Sequence, residues 1–135
     1  MRLPQRTNRD ATIVKFHLST SAGNIVTGLG PGWVRVGTVE YRESLVLTAD
    51  AVTTGWAPAG FERLTEADFV RLAESRPDVV LFGSGPTLRF PAPALTRALV
   101  EARIGLEVMD TPAACRTFNI LAAEGRRVTA ALLLA

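Results

Sequence analysis

A chain of 135 residues, 47% apolar and 21% charged with both signs interspersed, has the length of one domain and enough apolar material to bury about two-thirds of its unfolded surface, which excludes intrinsic disorder. The formal net charge is +2, and Lys15 is the only lysine among fifteen cationic residues; the arginines are spread along the chain, which argues against a nucleic-acid partner. The single cysteine, Cys115, excludes an intramolecular disulfide. One cysteine with one histidine cannot build a usual zinc site.

The segment 1–10 is polar, with no apolar core and no small-residue cleavage site, so it reads as a frayed lead-in without a secretory signal. One domain is expected over residues 11–135. The longest apolar runs, Val79–Phe82 and Ala130–Ala135, are too short to span a bilayer, and a cytoplasmic location is the expectation. Ala11–Leu18 alternates Ile13, Lys15 and His17 against Val14, Phe16 and Leu18, as a half-buried strand would. Asn24–Gly28 and Trp33–Val36 flank a turn, Gly28-Leu-Gly-Pro-Gly32. Val39–Tyr41 and Ser44–Thr48 follow at short intervals. Such spacing favours antiparallel pairing.

Beyond about Pro58 the texture changes to alternating helix and strand. Thr65 is an N-cap with Asp68 three residues on, ahead of the apolar-periodic Phe69, Leu72 and Ala73. Asp78–Phe82 is a continuous apolar strand. Pro93–Arg103 places Leu95, Ala98, Leu99 and Ala102 on one helical face. Leu106–Met109 is a short strand. A third helix starts at Thr111-Pro112, with Thr111 as its cap, and stops at Gly125. Val128–Leu134 is nearly all apolar and reads as a central strand buried on both faces. Its direction is open on the pattern alone. Helix–strand alternation of this kind implies a parallel crossover, with helices on both faces of the sheet.

Ligands of open α/β sheets bind beyond the carboxyl ends of parallel strands, and two such ends carry unusual residues. After the first come Gly83, Ser84 and Gly85, then Arg89-Phe-Pro91. A glycine-rich turn lets backbone N–H groups approach an anion, yet Leu88 stands where a dinucleotide fingerprint needs glycine, and the lysine of a phosphate-binding loop is missing. A tight turn is the plainer reading. After the second come Asp110, Thr111, Cys115, Arg116 and Asn119. A thiol near a helix N-terminus and an arginine can have a lowered pKa. The only histidine, His17, lies far off in the sequence on a solvated face, so no base is in view for a nucleophilic Cys115. Asp110 and Arg116 have structural readings as well, a helix cap and an ion pair. No catalytic set, metal site or cofactor site is assembled in the sequence. Trp33 and Trp56 read as packing or interface anchors.

The string Gly28-Leu-Gly-Pro-Gly-Trp-Val-Arg-Val36, the Gly83-Ser-Gly-Pro-Thr87 turn with Arg89-Phe-Pro91, the run Met109-Asp-Thr-Pro-Ala-Ala-Cys-Arg-Thr-Phe-Asn-Ile-Leu121 and Glu124-Gly-Arg-Arg-Val128 resemble the Mth938-like domain family, in the family's order over roughly residues 10–135. The resemblance implies a three-layer α/β fold: a central mixed five-stranded sheet flanked by helices, with a small antiparallel β element from the first half and an antiparallel last strand. It implies no established reaction. Bacterial members resemble a mitochondrial protein that assists assembly of respiratory complex I, and another eukaryotic relative is linked to adipocyte differentiation. The leading expectation is therefore a non-enzymatic interaction or assembly protein with protein partners, including membrane-associated complexes, and an exposed apolar patch holding Trp33 or Trp56. The alternative is a small-molecule or anion-binding protein, or an enzyme of unknown type, with a pocket at the Gly83 and Asp110 loops lined by Gly83, Ser84, Gly85, Arg89, Asp110, Thr111, Cys115, Arg116 and Asn119.

Overall fold

The computed structural model describes residues 23–135; the expected strand over Ala11–Leu18, with Lys15 and His17, and the segment 1–10 lie outside the described residues. The first three strands, β1 (Val26–Gly30), β2 (Trp33–Val36) and β3 (Val39–Tyr41), form an antiparallel meander. The first turn is shorter than its glycines suggest. β1 runs through Gly28 and Gly30, and only Pro31 and Gly32 (φ +77) turn the chain, the residue pattern of a type II turn.

β4 (Leu45–Leu47) and β5 (Val52–Thr54) form a hairpin that joins β6 (Val79–Gly83), β7 (Gly105–Met109) and β8 (Val128–Leu132) in a second sheet of order β5-β4-β8-β6-β7. This is the expected mixed five-stranded sheet. Its last strand corrects the implied direction: β8 is antiparallel to β4 but parallel to β6.

Helix α1 (Glu66–Ala73) opens with the expected capping box, in which Thr65 and Asp68 bond reciprocally. Helix α2 (Arg97–Glu101) is preceded by a tighter turn over Pro93–Thr96, so the expected single helix is split. In helix α3 (Thr111–Ala123) the cap is not Thr111 but Asp110, in the structural role also expected of it: its Oδ1 accepts from the Ala113 N–H at 2.9 Å. Thr111 is instead the first helical residue, and its hydroxyl serves the sheet.

The crossover β6–α2–β7 moves one way across the sheet and β7–α3–β8 moves back over β6. With both crossovers right-handed, this reversal puts the two helices on opposite faces. The core accordingly divides in two. Val79 and Leu81 of β6 and Ala130 and Leu132 of β8 pack with α3 and the meander through Ala114, Cys115, Phe118, Val34 and Val36. The alternate residues Val80, Phe82 and Ala131 pack with α1 and α2 around Phe69, Leu72, Leu99 and Trp56. The two-residue period of the strands sorts each side chain to its layer.

α3 ends with Gly125 at φ +81, its N–H donating to the Ala122 carbonyl and the Arg126 N–H to the Leu121 carbonyl, a Schellman motif. α2 ends the same way, but with Arg103 at φ +60 in the glycine position; Arg76, after α1, has φ +51. A residue with a Cβ in that region costs roughly 1–2 kcal/mol.

Candidate functional site

The carboxyl ends of β6, β7 and β8 lie side by side, and the two loops singled out in the sequence are stitched together there. The Thr111 hydroxyl donates to the Leu133 carbonyl at 2.6 Å and accepts from the Gly85 N–H at 2.9 Å. The Thr111 N–H donates to the Gly85 carbonyl at 2.8 Å and the Ser84 N–H to the Met109 carbonyl at 2.9 Å. Gly83 is needed for this approach: a Cβ there would lie 2.9 Å from Thr111 Oγ1 and 3.1 Å from Thr111 Cα.

The polar atoms of the first loop are consumed locally. Ser84 is fully buried; its hydroxyl donates to the Thr87 carbonyl and accepts from the Arg89 N–H. The Arg89 guanidinium folds back to donate to the carbonyls of Ser84 and Ala135, and it lies 4.5 Å from the centroid of the Phe61 ring. Beside it, the loop holds Leu88 and Phe90 out, Phe90 being 68% exposed.

The second group of residues separates along α3. Asp110 caps it. Arg116 is exposed on its surface. Cys115 is 1% exposed in the core, where burial pushes its thiol pKa up to about 11 against the opposing attraction of Arg116. That is the reverse of the activation expected from a helix start. Asn119 holds the meander: its Oδ1 accepts from the Val26 N–H and its Nδ2 donates to the Val26 carbonyl, both at 2.9 Å. The structure thus brings Gly83, Ser84, Gly85, Arg89, Asp110 and Thr111 into one seam and places Cys115, Arg116 and Asn119 apart from it. Among the described residues, no group of three or more His, Cys, Asp or Glu is placed to hold a metal ion.

What opens at this end of the sheet is apolar. A groove of about 400 Å³ runs between the meander's tip and the seam, lined by Leu29, Pro31, Trp33, Pro86, Pro112 and Leu134 together with Gly30, Gly32, Gly85 and Thr111. Trp33 forms its wall because β2 alternates: Val34 and Val36 point into the core, and Trp33 and Arg35 point away from it. The indole lies across Gly30, where a Cβ would come within 2.5 Å of Nε1. Trp56, the other expected patch residue, is a core side chain. It is 2% exposed, donates through Nε1 to the Asp68 carbonyl at 3.0 Å and meets the Phe69 and Phe82 rings edge-on. Sequence reasoning named Trp33 and the Gly-Pro-Gly turn, but not their meeting with Pro86, Pro112 and Leu134. The signal available was a tryptophan directly after a hairpin turn.

The fold and the groove define a mixed α/β domain of the Mth938-like class. The structure matches that of a Bordetella pertussis protein described as a Mth938-like domain, with TM-score 0.73, 26% identity and coverage of 98% of this chain and 92% of that one. It also matches a Bordetella parapertussis crystal structure, with TM-score 0.76, 35% identity and coverage of 84% and 98%. The chain belongs to the family described as protein of unknown function (DUF498/DUF598), whose model matches residues 26–133. It is also similar to NADH dehydrogenase (ubiquinone) 1 alpha subcomplex assembly factor 3 of Bos taurus, with 38% identity over 80 residues. That match covers 58% of this chain and 44% of the bovine protein, so the chain spans less than half of that relative's length.

Proposed function

We propose that this chain is an assembly or interaction factor that binds a protein partner, belonging to a respiratory or other membrane-associated complex, through the apolar groove beside Trp33. The observation that carries the reading is the contrast at the carboxyl edge of the sheet. The polar residues there are spent on holding the loops together, and the surface left open is lined by one tryptophan, three prolines and two leucines. Aromatic side chains at the centre of a concave apolar surface are the usual anchors of protein interfaces. The similarity to a relative named as an assembly factor supports the same reading. No helix of the described residues is long and apolar enough to cross a membrane.

The test is affinity capture of the tagged chain from its own host, membranes included, beside Trp33→Ala. The expected result is enrichment of respiratory or other membrane-complex subunits by the parent, reduced tenfold or more in the variant, in line with the ~2 kcal/mol an aromatic anchor contributes, with a thermal midpoint close to that of the parent. Equal enrichment by both proteins would remove the groove from the reading. Recovery of the bait alone would remove the assembly role.

A second reading, a small-molecule or anion pocket at the Gly83 and Asp110 loops, needs the exposed guanidinium of Arg116 to reach an anion there from the first half of α3. It predicts that Arg116→Ala abolishes any anion-induced rise in melting temperature. A rise that survives the substitution excludes Arg116 from such a site.

A further inference from the structure

At the opposite, amino-terminal end of the parallel strands lies a second opening, of about 630 Å³, lined by the arginines Arg76, Arg103 and Arg127 and by the acids Glu74 and Asp78. Two of these arginines occupy backbone positions that suit glycine, Arg76 at φ +51 and Arg103 at φ +60, whereas α3 ends in the same motif on Gly125. Attraction between a cation and a helix C-terminus does not explain the choice. An arginine one residue earlier, at Ser75 or Ala102, would gain the same attraction, and neither of those residues has a positive φ. The two strained positions instead both lie on the wall of one opening.

Among the described residues none of these arginines forms an ion pair, although the Glu74 and Asp78 carboxylates line the same opening and leave it a formal excess of one positive charge. The ion pairs among the described residues are Arg42 with Glu40 and Arg97 with Glu66, so no described carboxylate pairs with Arg76, Arg103 or Arg127. The Asp78 carboxylate accepts the Arg127 backbone N–H at 3.2 Å. The Arg127 guanidinium donates to the Arg76 carbonyl at 2.6 Å, which ties it to the cavity wall, and among the described residues its other donors meet no acceptor.

We propose that this opening binds a phosphate-class oxyanion between the guanidiniums of Arg76, Arg103 and Arg127. Guanidinium forks match phosphate oxygens bidentately, and the volume lies in the range of small-molecule sites, so the phosphate is one end of a phosphorylated ligand. The shared chemistry is a phosphate monoester, supplied by a soluble compound or by a lipid headgroup. The site stands at the far end of the strands from the Trp33 groove and does not depend on the partner proposed there.

The experiment uses the full chain and the double variant Arg76→Gly/Arg103→Gly. Glycine takes the left-handed conformation freely, so the variant removes both guanidiniums while relieving the backbone, and its melting temperature is expected to equal or exceed that of the parent. Inorganic phosphate is titrated at constant ionic strength against chloride, read by calorimetry and by amide chemical shifts. Saturable binding with shifts at residues 76–78, 103–105 and 126–128, weakened about a hundredfold in the variant at roughly tenfold per arginine, is the expected result. The absence of saturable phosphate binding, an equal response to chloride, or an unchanged affinity in the variant would overturn the site. Two further arms separate the sources. Tighter binding of a nucleoside monophosphate than of phosphate marks a soluble ligand. Variant-sensitive sedimentation with phosphatidylcholine vesicles carrying phosphatidic acid marks a headgroup.

Discussion

Thr111→Val is expected to lower the free energy of unfolding by about 3 kcal/mol, in a range of roughly 2–5. Valine keeps the shape of threonine and removes only the hydroxyl. That hydroxyl has two buried partners, the Leu133 carbonyl and the Gly85 N–H. Without it both are left unpaired in a site that is 5% exposed, and each buried orphan costs about 1–3 kcal/mol. Thr111→Ser is the control: it keeps both bonds and loses one methyl, worth about 1 kcal/mol. Denaturant unfolding of the three proteins with unchanged m-values decides the matter. If valine costs no more than serine, the seam is not held by this hydroxyl. The functional consequence is specific, because Thr111, Gly85 and Leu134 also form a wall of the groove. The valine variant should lose captured partner under conditions where it is still folded, and Thr111→Ser should not.

The layers of this fold are readable in the residues, while the connections between layers are not. Val128–Leu132 carries no polar face but Thr129, so its central, doubly buried place follows from composition alone. Its direction does not, because direction depends on which neighbour it finds, and β4 and β6 run opposite ways. Thr111 looked like a cap since threonine often caps helices, but Asp110 does so equally well. A tertiary acceptor, the Leu133 carbonyl, leaves the cap to Asp110. The pattern alone sets the first strand at Asn24–Gly28, two residues ahead of β1, since glycine is a poor strand former; here Arg35 and Trp33 lie over Gly28 and Gly30 from the neighbouring strand. β5, three residues at a sheet edge with little apolar content, leaves no pattern in the sequence.

The candidate site divides along the same line. That polar residues gather after β6 and β7 was visible in the sequence. That Ser84 and Arg89 spend their bonds on their own loop was not, since each partner is a carbonyl whose direction only the fold sets. Cys115 is the instructive case. Its distance from the helix start pointed to a reactive thiol, but Thr111, Ala114, Cys115 and Phe118 share the spacing of a buried stripe, and all four are buried.

That burial gives the second large effect, a loss of about 2–3 kcal/mol of stability between pH 9 and pH 11. Desolvation raises the Cys115 pKa from 9.0 to about 11, and Arg116 offsets it in part. In the unfolded chain the thiol releases its proton near pH 9; in the folded chain it keeps the proton until about pH 11. Over that window the folded state binds more protons, so stability falls as pH rises. It is complete below pH 9 and lost above pH 11, at about 1.4 kcal/mol per unit. Cys115→Ala removes the thiol and leaves the rest of the chain in place. The difference in unfolding free energy between the parent and Cys115→Ala should therefore be flat up to pH 9 and shift against the parent by about 2–3 kcal/mol by pH 11. A difference that stays flat would mean the thiol is not held protonated by the core. The same burial predicts alkylation of the native protein at neutral pH at least about a hundredfold slower than that of the unfolded chain, since only the thiolate reacts. Rapid native alkylation would return Cys115 to the list of reactive groups and the Asp110 loop to the list of catalytic candidates.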